Sequence, residues 1–463
     1  MSATKFSPRI FWLIFADAAM IYGGIMLALY LRLGISGAAF QLEENNAWYK
    51  MGLATIVCLL ILYIYDLYDY VVIANRREMF LRLIQSLGIA WALLAILFYF
   101  VPPLLIGRGV SLVSVAIVLV LLLSWRVLIH SLTGHPEIGE KILIVGAGKP
   151  ALETAKGAWD RRDAGFRIVG FVSENGNVPG EKLGKSTVLG TIADLERIIK
   201  EKDVNRVVTA VRERRGTFPT ETLLKMSLAG DVTIEECTSF YERVTGQVQL
   251  DMLRPSWLIF AGPGRETKLK FVIREAVHRS LAAIGLILSL PIAAVTAILV
   301  KLDSKGPVLY RQKRVGKNGR EFEVIKFRSM KIDAEKEGMP IWATTDDDRV
   351  TRVGRIIRKI RVDEIPQFWN IIKGEMSFIG PRPERPHFVS QLAKEIPYYE
   401  HRHLVAPGLT GWAQTKYPYG ASVEDARKKL QYDLYYIKNQ TLGLDLIIVF
   451  NTIKTVLFGN GGR

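Results

Sequence analysis

Asp363 and Glu364 stand side by side in the run RVDEIPQFWNIIKGEMSFIGPRPERP, residues 361–386, in a region crowded with cations. Lys326, Arg328, Arg352, Arg355, Arg358, Arg361, Arg382 and Arg385 all fall near this pair in sequence. Such a density suits the holding of phosphates by charge-assisted, often bidentate hydrogen bonds. An isolated carboxylate pair is ordinarily a solvated loop or helix end, but beside these cations it admits a second reading. One carboxylate can attack a phosphoryl group to form an acyl phosphate. Its neighbour can hold the Mg2+ that neutralises the charge developing on the phosphate. Pro366, Pro381, Pro383 and Pro386 remove backbone donors, so the stretch is expected to be a shaped loop and not one packed helix.

The elements that must position this chemistry are partly apolar. Of the 463 residues, 49% are hydrophobic, and the mean hydropathy of +0.19 is high for a soluble protein. Four apolar runs, at 10–31, 51–70, 83–106 and 110–130, each approach the roughly 20 residues that span a bilayer. Lys5 and Arg9 precede the first run, and Arg76, Arg77 and Arg82 fill the connection between the second and third. The bias of basic residues toward the cytoplasm therefore puts the N-terminus there, and four crossings return the chain to the same side. The net charge of +16 points to anionic partners. With these spans present, phosphorylated ligands and membrane lipids are expected, and no nucleic acid. Cys58 and Cys237 are too few and too far apart for a disulfide framework or a cysteine metal site, as suits a reducing cytoplasm.

After His130 the composition becomes that of a soluble α/β domain. KILIVGAG reads as a buried strand entering a glycine turn, followed by a helix from Pro150, the strand FRIVGFV, a helix near Ile192–Lys202 and the strand RVVTAV. This alternation implies βαβ units and a parallel, Rossmann-like sheet. Gly146, Gly148 and Ala151 fall on the glycine fingerprint of nucleotide-binding turns, with Glu174 as an acidic partner further along than the usual spacing. The same turn serves plain strand-to-helix packing, so it points to a fold more than to a cofactor.

A fifth apolar run, LAAIGLILSLPIAAVTAILVKL from Leu281, contains Pro291. If it crossed the bilayer, the basic stretches YRQKRVGKNGR and RVGRIIRKIR would lie outside, against the charge bias. The reading that follows is a helix over about 274–302, broken at Ser289 and Pro291, that dips into the membrane and returns, with an ordinary spanning helix kinked at the proline as the alternative. The domains are then 1–135, a four-helix transmembrane region; 136–264, a Rossmann-like and CoA-binding-like α/β domain; and 265–463, a catalytic domain.

From about Val272 to the end, the motifs KFRSM, DDDRVTRVGRIIRKIRVDEIPQFWNIIKGEMSFIGPRPERP, PGLTGWAQ and YDLYYI occur in one order. In them the chain resembles the bacterial sugar transferase family, the monotopic polyprenyl-phosphate phosphoglycosyl transferases. With the spans and α/β domain ahead of it, it looks like the large form that initiates exopolysaccharide or O-antigen assembly at the bacterial inner membrane. The resemblance implies a mainly α, monotopic catalytic domain with a re-entrant helix, facing the cytoplasm. It also implies a ping-pong reaction. Asp363 matches the residue that attacks the β-phosphate of a UDP-sugar, UMP leaves, and polyprenyl (undecaprenyl) phosphate takes the phosphosugar. Glu364 matches the Mg2+-binding residue, and Lys326, Arg358 and Arg382 match phosphate-handling positions, with Arg328 in the same KFRSM motif. Self-association as a homodimer is one role suggested for the middle domain. The family has Ser directly before Pro in its re-entrant helix, whereas Leu290 here separates Ser289 from Pro291.

Two other classes are weighed against this reading. A nicotinamide-dependent oxidoreductase working through GAGKPA needs a catalytic Tyr in that domain, and none lies between Lys141 and Phe240. A non-catalytic membrane scaffold or nucleotide sensor would bind a UDP-sugar without releasing UMP.

Overall fold

The computed structural model describes residues 8–65, 67–68, 76–133, 140–160, 166–174, 179–211, 220–230, 232–253, 268–331, 348–417, 420 and 422–457. The chain divides into two compact units, Met1–Phe240 and Tyr241–Arg463. The boundary read at Gly264 lies outside the described residues.

The first unit opens with four helices, α1 (Pro8–Glu43), α2 (Ala47–Ile64), α3 (Arg76–Phe100) and α4 (Arg108–Thr133), each long and apolar enough to cross a membrane. α1 runs well past the apolar stretch that announces it. It consists of two helical pieces joined at Gly34, whose φ of 72° is open to glycine at no steric penalty. Ile21, Ile25 and Leu29 of α1 share a core with Cys58 and Leu62 of α2, Leu83 and Leu87 of α3, and Val118 and Leu122 of α4. One ion pair crosses that core: Arg126 donates to Asp17 Oδ2 at 2.6 Å and to the Leu67 carbonyl at 2.7 Å. Its guanidinium also lies 5.3 Å from the Tyr68 ring centre.

The α/β part of this unit contains β1 (Glu140–Val145), α5 (Lys149–Asp160), β2 (Phe166–Ser173), β3 (Lys182–Leu183), β4 (Ser186–Thr191), α6 (Leu195–Lys202), β5 (Arg206–Thr209), α7 (Thr220–Ala229) and β6 (Thr233–Glu236). The strands form one sheet in the order β3-β4-β2-β1-β5-β6, parallel except for the β3–β4 pair. Leu143, Val145, Val172 and Val207 are buried against α6 and α7, as expected for a sheet covered by helices. α8 (Cys237–Thr245) carries the chain across the division between the units.

The second unit is built on α9 (Lys268–Asp303), 36 residues long. The sequence reading puts a break at Ser289 and Pro291, and the structure has one helix across them with Pro291 inside it. Pro291 has no N–H for the Ile287 carbonyl, yet the flanking turns keep their geometry. The Ser289 hydroxyl donates to the Leu286 carbonyl at 3.0 Å and so does not serve the freed one. Along one face, Ala282 packs with Val324, Ile371 and Met376, and Val300 packs with Phe327 and Ile357. Along another, Leu281, Ile284, Leu288, Val295, Ile298 and Leu302 are exposed at helical spacing.

On this helix are laid β7 (Leu309–Val315), β8 (Glu321–Phe327), α10 (Arg352–Lys359), α11 (Gln367–Lys373), β9 (Ser377–Ile379), α12 (Pro386–Glu395), β10 (Gly408–Thr410), α13 (Trp412–Lys416), α14 (Val423–Lys438) and α15 (Leu442–Leu457). β7 and β8 form an antiparallel hairpin, and β9 and β10 a short parallel pair. Tyr432, Tyr435 and Tyr436 of α14 are buried. α15 buries Leu444 and Ile448 but exposes Leu446 and Ile453, so it closes the core with one face only.

The buried pair in the helical bundle is open to test. Removing one partner strands the other charge, which costs about 3–5 kcal/mol where a buried pair is broken. Asp17→Asn is expected to lower the melting temperature in detergent strongly, and Asp17→Leu combined with Arg126→Leu to recover most of it. Equal melting of Asp17→Asn and the native chain would remove the pair from the account of bundle stability.

Candidate active site

The two carboxylates are placed by a sharp change of backbone direction. α10 begins at Thr351, whose hydroxyl accepts from the Gly354 N–H at 2.9 Å, and ends after Lys359. Arg361 then adopts a left-handed φ of 59°, unusual for a residue with a side chain, and the chain enters a single 3-10 turn, Val362–Glu364. Behind the turn, Asn370 ties α11 to β8. Its Oδ1 accepts from the Ile325 N–H at 3.1 Å, while its Nδ2 donates to the Glu323 carbonyl and to Glu375 Oε2, both at 2.7 Å.

Strand alternation on β8 sends Phe327 into the core with Val300 and Ile357 and turns Lys326 the other way. Lys326 Nζ reaches Glu364 Oε1 at 3.1 Å, Arg382 Nη2 reaches the same oxygen at 3.1 Å, and Arg361 Nη1 lies 3.6 Å from it. Glu364 and Asp363 are only 8% and 7% exposed. Asp363 Oδ1 is buried and has no hydrogen-bond partner.

Electrostatics drives the two carboxyls apart. Burial acts to raise the Glu364 carboxyl, but Lys326, Arg382 and Arg361 override it and hold it well below the usual carboxylate range. At Asp363 burial prevails, with the neighbouring Glu364 charge adding to it. Lys326 offsets only part, so that carboxyl is raised. One acidic group is thus tied to cations and the other keeps a free oxygen. This divergence of paired carboxylates is characteristic of sites that assign them different tasks.

Not every cation read from the sequence joins this cluster. Arg328 is buried and donates through Nη2 to the Ser304 carbonyl at 2.7 Å and the Ser304 hydroxyl at 3.0 Å, at the C-terminal end of α9. Its Nε and Nη1 are buried without hydrogen-bond partners. Arg358 is half-buried on α10, and among the described residues it makes no hydrogen bond or ion pair with either carboxylate. Arg352 and Arg355 are exposed on the same helix. Ser289 and Pro291 lie in the uninterrupted middle of α9.

In the other unit, the glycine turn follows β1 as the sequence implies. Gly146 has φ 116°, and a Cβ there would stand 3.2 Å from the Ala210 backbone, so the close approach of β1 to the end of β5 requires glycine. Gly148 precedes α5, Ala151 is buried in it, and Glu174 follows the C-terminal end of β2, the strand next to β1.

Sequence reasoning passed over Arg314, Arg402 and Asp433. Arg402 and Asp433 are almost fully buried and joined at 2.9 Å. A single Asp inside the apolar run YDLYYI was the available signal, since charge is retained in such a run only when it is paired.

The sequence pattern of the bacterial sugar transferase family matches residues 269–459, and that of a CoA-binding domain matches residues 63–215. A UDP-N-acetylgalactosamine-undecaprenyl-phosphate N-acetylgalactosaminephosphotransferase of Aeromonas hydrophila is 47% identical over 222 residues, 48% of this chain and 52% of its own length. An undecaprenyl-phosphate glucose phosphotransferase of Komagataeibacter xylinus is 31% identical over 344 residues, 72% of this chain and 62% of its own length. An exopolysaccharide production protein of Rhizobium leguminosarum bv. phaseoli is 36% identical over 197 residues, 41% of this chain and 97% of its own length. The chain therefore spans less than two thirds of the first two relatives and nearly all of the third.

The charge balance at Glu364 predicts a pH signature. A carboxyl depressed in the folded state contributes stability that is fully present above its ordinary value, near 4.5, and is lost as pH falls through the lower folded value. Glu364→Gln is expected to melt below the native chain at pH 7, with the gap narrowing as the pH falls below 4.5. A gap that does not change with pH would show that the three cations do not depend on this charge.

Proposed function

The chain belongs to the bacterial sugar transferase family, and from that premise we propose that it moves a sugar 1-phosphate from a UDP-sugar to a polyprenyl (undecaprenyl) phosphate, releasing UMP. The reaction is a first membrane step of exopolysaccharide assembly. The observation that supports it most directly is the pair itself: a buried Asp363 oxygen without a partner, beside a Glu364 held by Lys326, Arg382 and Arg361.

Asp363 Oδ1 attacks the β-phosphorus of the donor, the bond from that phosphorus to the bridging oxygen breaks, and UMP leaves with the electron pair. Asp363 then carries the phosphosugar as an acyl phosphate. An oxygen of the lipid phosphate attacks the same phosphorus, the bond from that phosphorus to the Asp363 oxygen breaks, and the Asp363 carboxylate leaves with the electron pair. Burial suits this role, because a desolvated carboxylate has lost the water that would blunt its attack. Lys326 and Arg382 stand where they can turn from Glu364 toward phosphate oxygens, and Arg358 and Arg328 are further phosphate-binding candidates. The two unpartnered nitrogens of buried Arg328 favour an anion there.

The residues present fit a divalent cation. Glu364, kept ionised by Lys326, Arg382 and Arg361, is a hard oxygen donor of the type Mg2+ takes, which leaves Asp363 Oδ1 for the attack. Among the described residues no group of three or more His, Cys, Asp or Glu could hold a metal, so water and substrate phosphates would complete its shell, as is usual for this ion. When bound, Mg2+ neutralises charge on the diphosphate and the departing UMP.

The site lies on the cytoplasmic side of the bacterial inner membrane in this reading, with both ends of α9 on that side. Near one end, His278 Nδ1 meets the Ser377 hydroxyl at 2.6 Å; at the other, Arg328 holds Ser304. A perpendicular crossing would carry those ends to opposite sides of a core roughly 30 Å thick. Packing of both on one domain favours a helix embedded by its apolar face and not a spanning one, and the positive charge around it agrees.

With the full chain in detergent, Mg2+ and polyprenyl phosphate, one donor from a panel headed by UDP-N-acetylgalactosamine and UDP-glucose is expected to release UMP. EDTA should stop the release, and Asp363→Asn should abolish it in a folded, membrane-bound protein. An active Asp363→Asn variant sinks the covalent mechanism, and the absence of UMP from every donor favours a scaffold. Separately, cysteines placed singly at Arg279 and Lys305 are expected to react with impermeant thiol reagents only from the cytoplasmic side. Labelling of Lys305→Cys from the opposite side would make α9 a crossing helix.

A further inference from the structure

The loop between β9 and α12 carries Arg382 to Glu364 without any regular structure of its own. Four successive carbonyls in it nevertheless each accept a donor from elsewhere in the fold. Pro381 accepts from the Gly408 N–H at 2.9 Å, Arg382 from Arg402 Nη2 at 3.0 Å, Pro383 from Arg314 Nη1 at 3.0 Å and Glu384 from the Val315 N–H at 2.9 Å. Two of these donors are backbone groups of strands or their ends. Of the two side chains, Arg402 is the buried one, at 6% exposed.

Arg402 is itself held through both terminal nitrogens. Nη2 also donates to Asp433 Oδ2 at 2.9 Å, Nη1 donates to the Tyr399 hydroxyl at 2.7 Å, and the guanidinium lies 5.2 Å from the Tyr399 ring centre. Asp433 sits on α14 among buried neighbours and is 2% exposed. Burying such a pair is an inefficient way to gain stability, since apolar residues of similar volume often do as well or better. The arrangement does accomplish something apolar side chains cannot: a rigid planar fork joins a helix to one chosen backbone carbonyl.

We propose that Arg402, anchored by Asp433, is a positioning residue for phosphosugar transfer, setting the backbone of Arg382 so that its guanidinium meets Glu364. The route runs from α14 through the Asp433 carboxylate, the Arg402 fork and the Arg382 carbonyl to the Arg382 side chain at the carboxylate pair. It rests on the transfer reading above. Neither Arg402 nor Asp433 touches the reacting atoms in this account; their effect passes through Arg382.

The test removes both charges together, as Arg402→Met with Asp433→Leu, so that no buried charge is left alone, and checks the fold by melting temperature. The expected result is a fall of about 100-fold in kcat for UMP release, the scale of a misplacement of about 1 Å from outside the site, with KM for the donor moving far less. Adding these changes to Arg382→Ala should give no further loss, because residues acting through a shared partner are not additive. Arg402→Lys, which keeps the charge but not the fork, is expected to recover only part. A folded double variant with kcat within about 3-fold of native, or losses that simply multiply with those of Arg382→Ala, would overturn the proposal. Amide exchange over residues 380–386 is read on the same samples and needs no turnover. Faster exchange is expected in the double variant, and unchanged exchange would overturn the proposal even if no donor released UMP and the transfer reading itself had failed.

Discussion

The second unit is organised around one unbalanced quantity, the charge gathered at Glu364 Oε1. Three cations converge on one buried oxygen, an arrangement that is tolerable only because each is delivered by a different, independently fixed element. Lys326 comes from a strand locked by Asn370, Arg361 from a left-handed turn after α10, and Arg382 from a loop whose carbonyls are individually held. Without the carboxylate the cations would repel one another in a desolvated space. Without the cations the carboxylate would not remain ionised there. Asp363 gains from this balance a buried oxygen beside a strong positive field, yet not consumed by it, as its proposed role in phosphoryl transfer requires.

α9 supplies the frame on which these elements are assembled. Its small residues let β8, α10 and α11 approach one face closely; at Gly285 an added Cβ would stand 3.1 Å from the Phe368 ring. The other faces remain apolar and exposed. The same helix therefore gives one face to the core of the domain and leaves an apolar face exposed, which suits the proposed transfer of a phosphosugar to a membrane-borne acceptor. Ile356 on the basic helix α10, Ile360 just after it and Trp369 on α11 are also exposed, on elements adjoining the carboxylate turn.

Much of the architecture is legible in the sequence. Apolar runs gave the four helices of the bundle because bilayer length and hydrophobicity are local properties of sequence, although α1 continues through Gly34 to Glu43. Alternation of strands and helices gave the parallel sheet, and the glycines gave its first turn. At Pro291 the sequence suggests a break, whereas one helix, Lys268–Asp303, holds the proline inside it, with Ala282 and Val300 packed on either side. The bundle pair Asp17–Arg126 could not be foreseen, since 109 residues separate its members.

The sequence by itself determined which residue types were present to do chemistry: adjacent carboxylates, a surplus of cations and prolines to shape a loop. It could not rank the cations. Arg358 is closer in sequence to the carboxylates than Lys326 or Arg382, yet the latter two are the ones bonded to Glu364, while Arg328 turns to the end of α9. That choice was made by tertiary structure, because a hydrogen bond depends on distances of about 3 Å and those are fixed by strand register, a left-handed residue and a loop pinned from other elements. Charge density is written in composition. Charge placement follows only when the chain has folded.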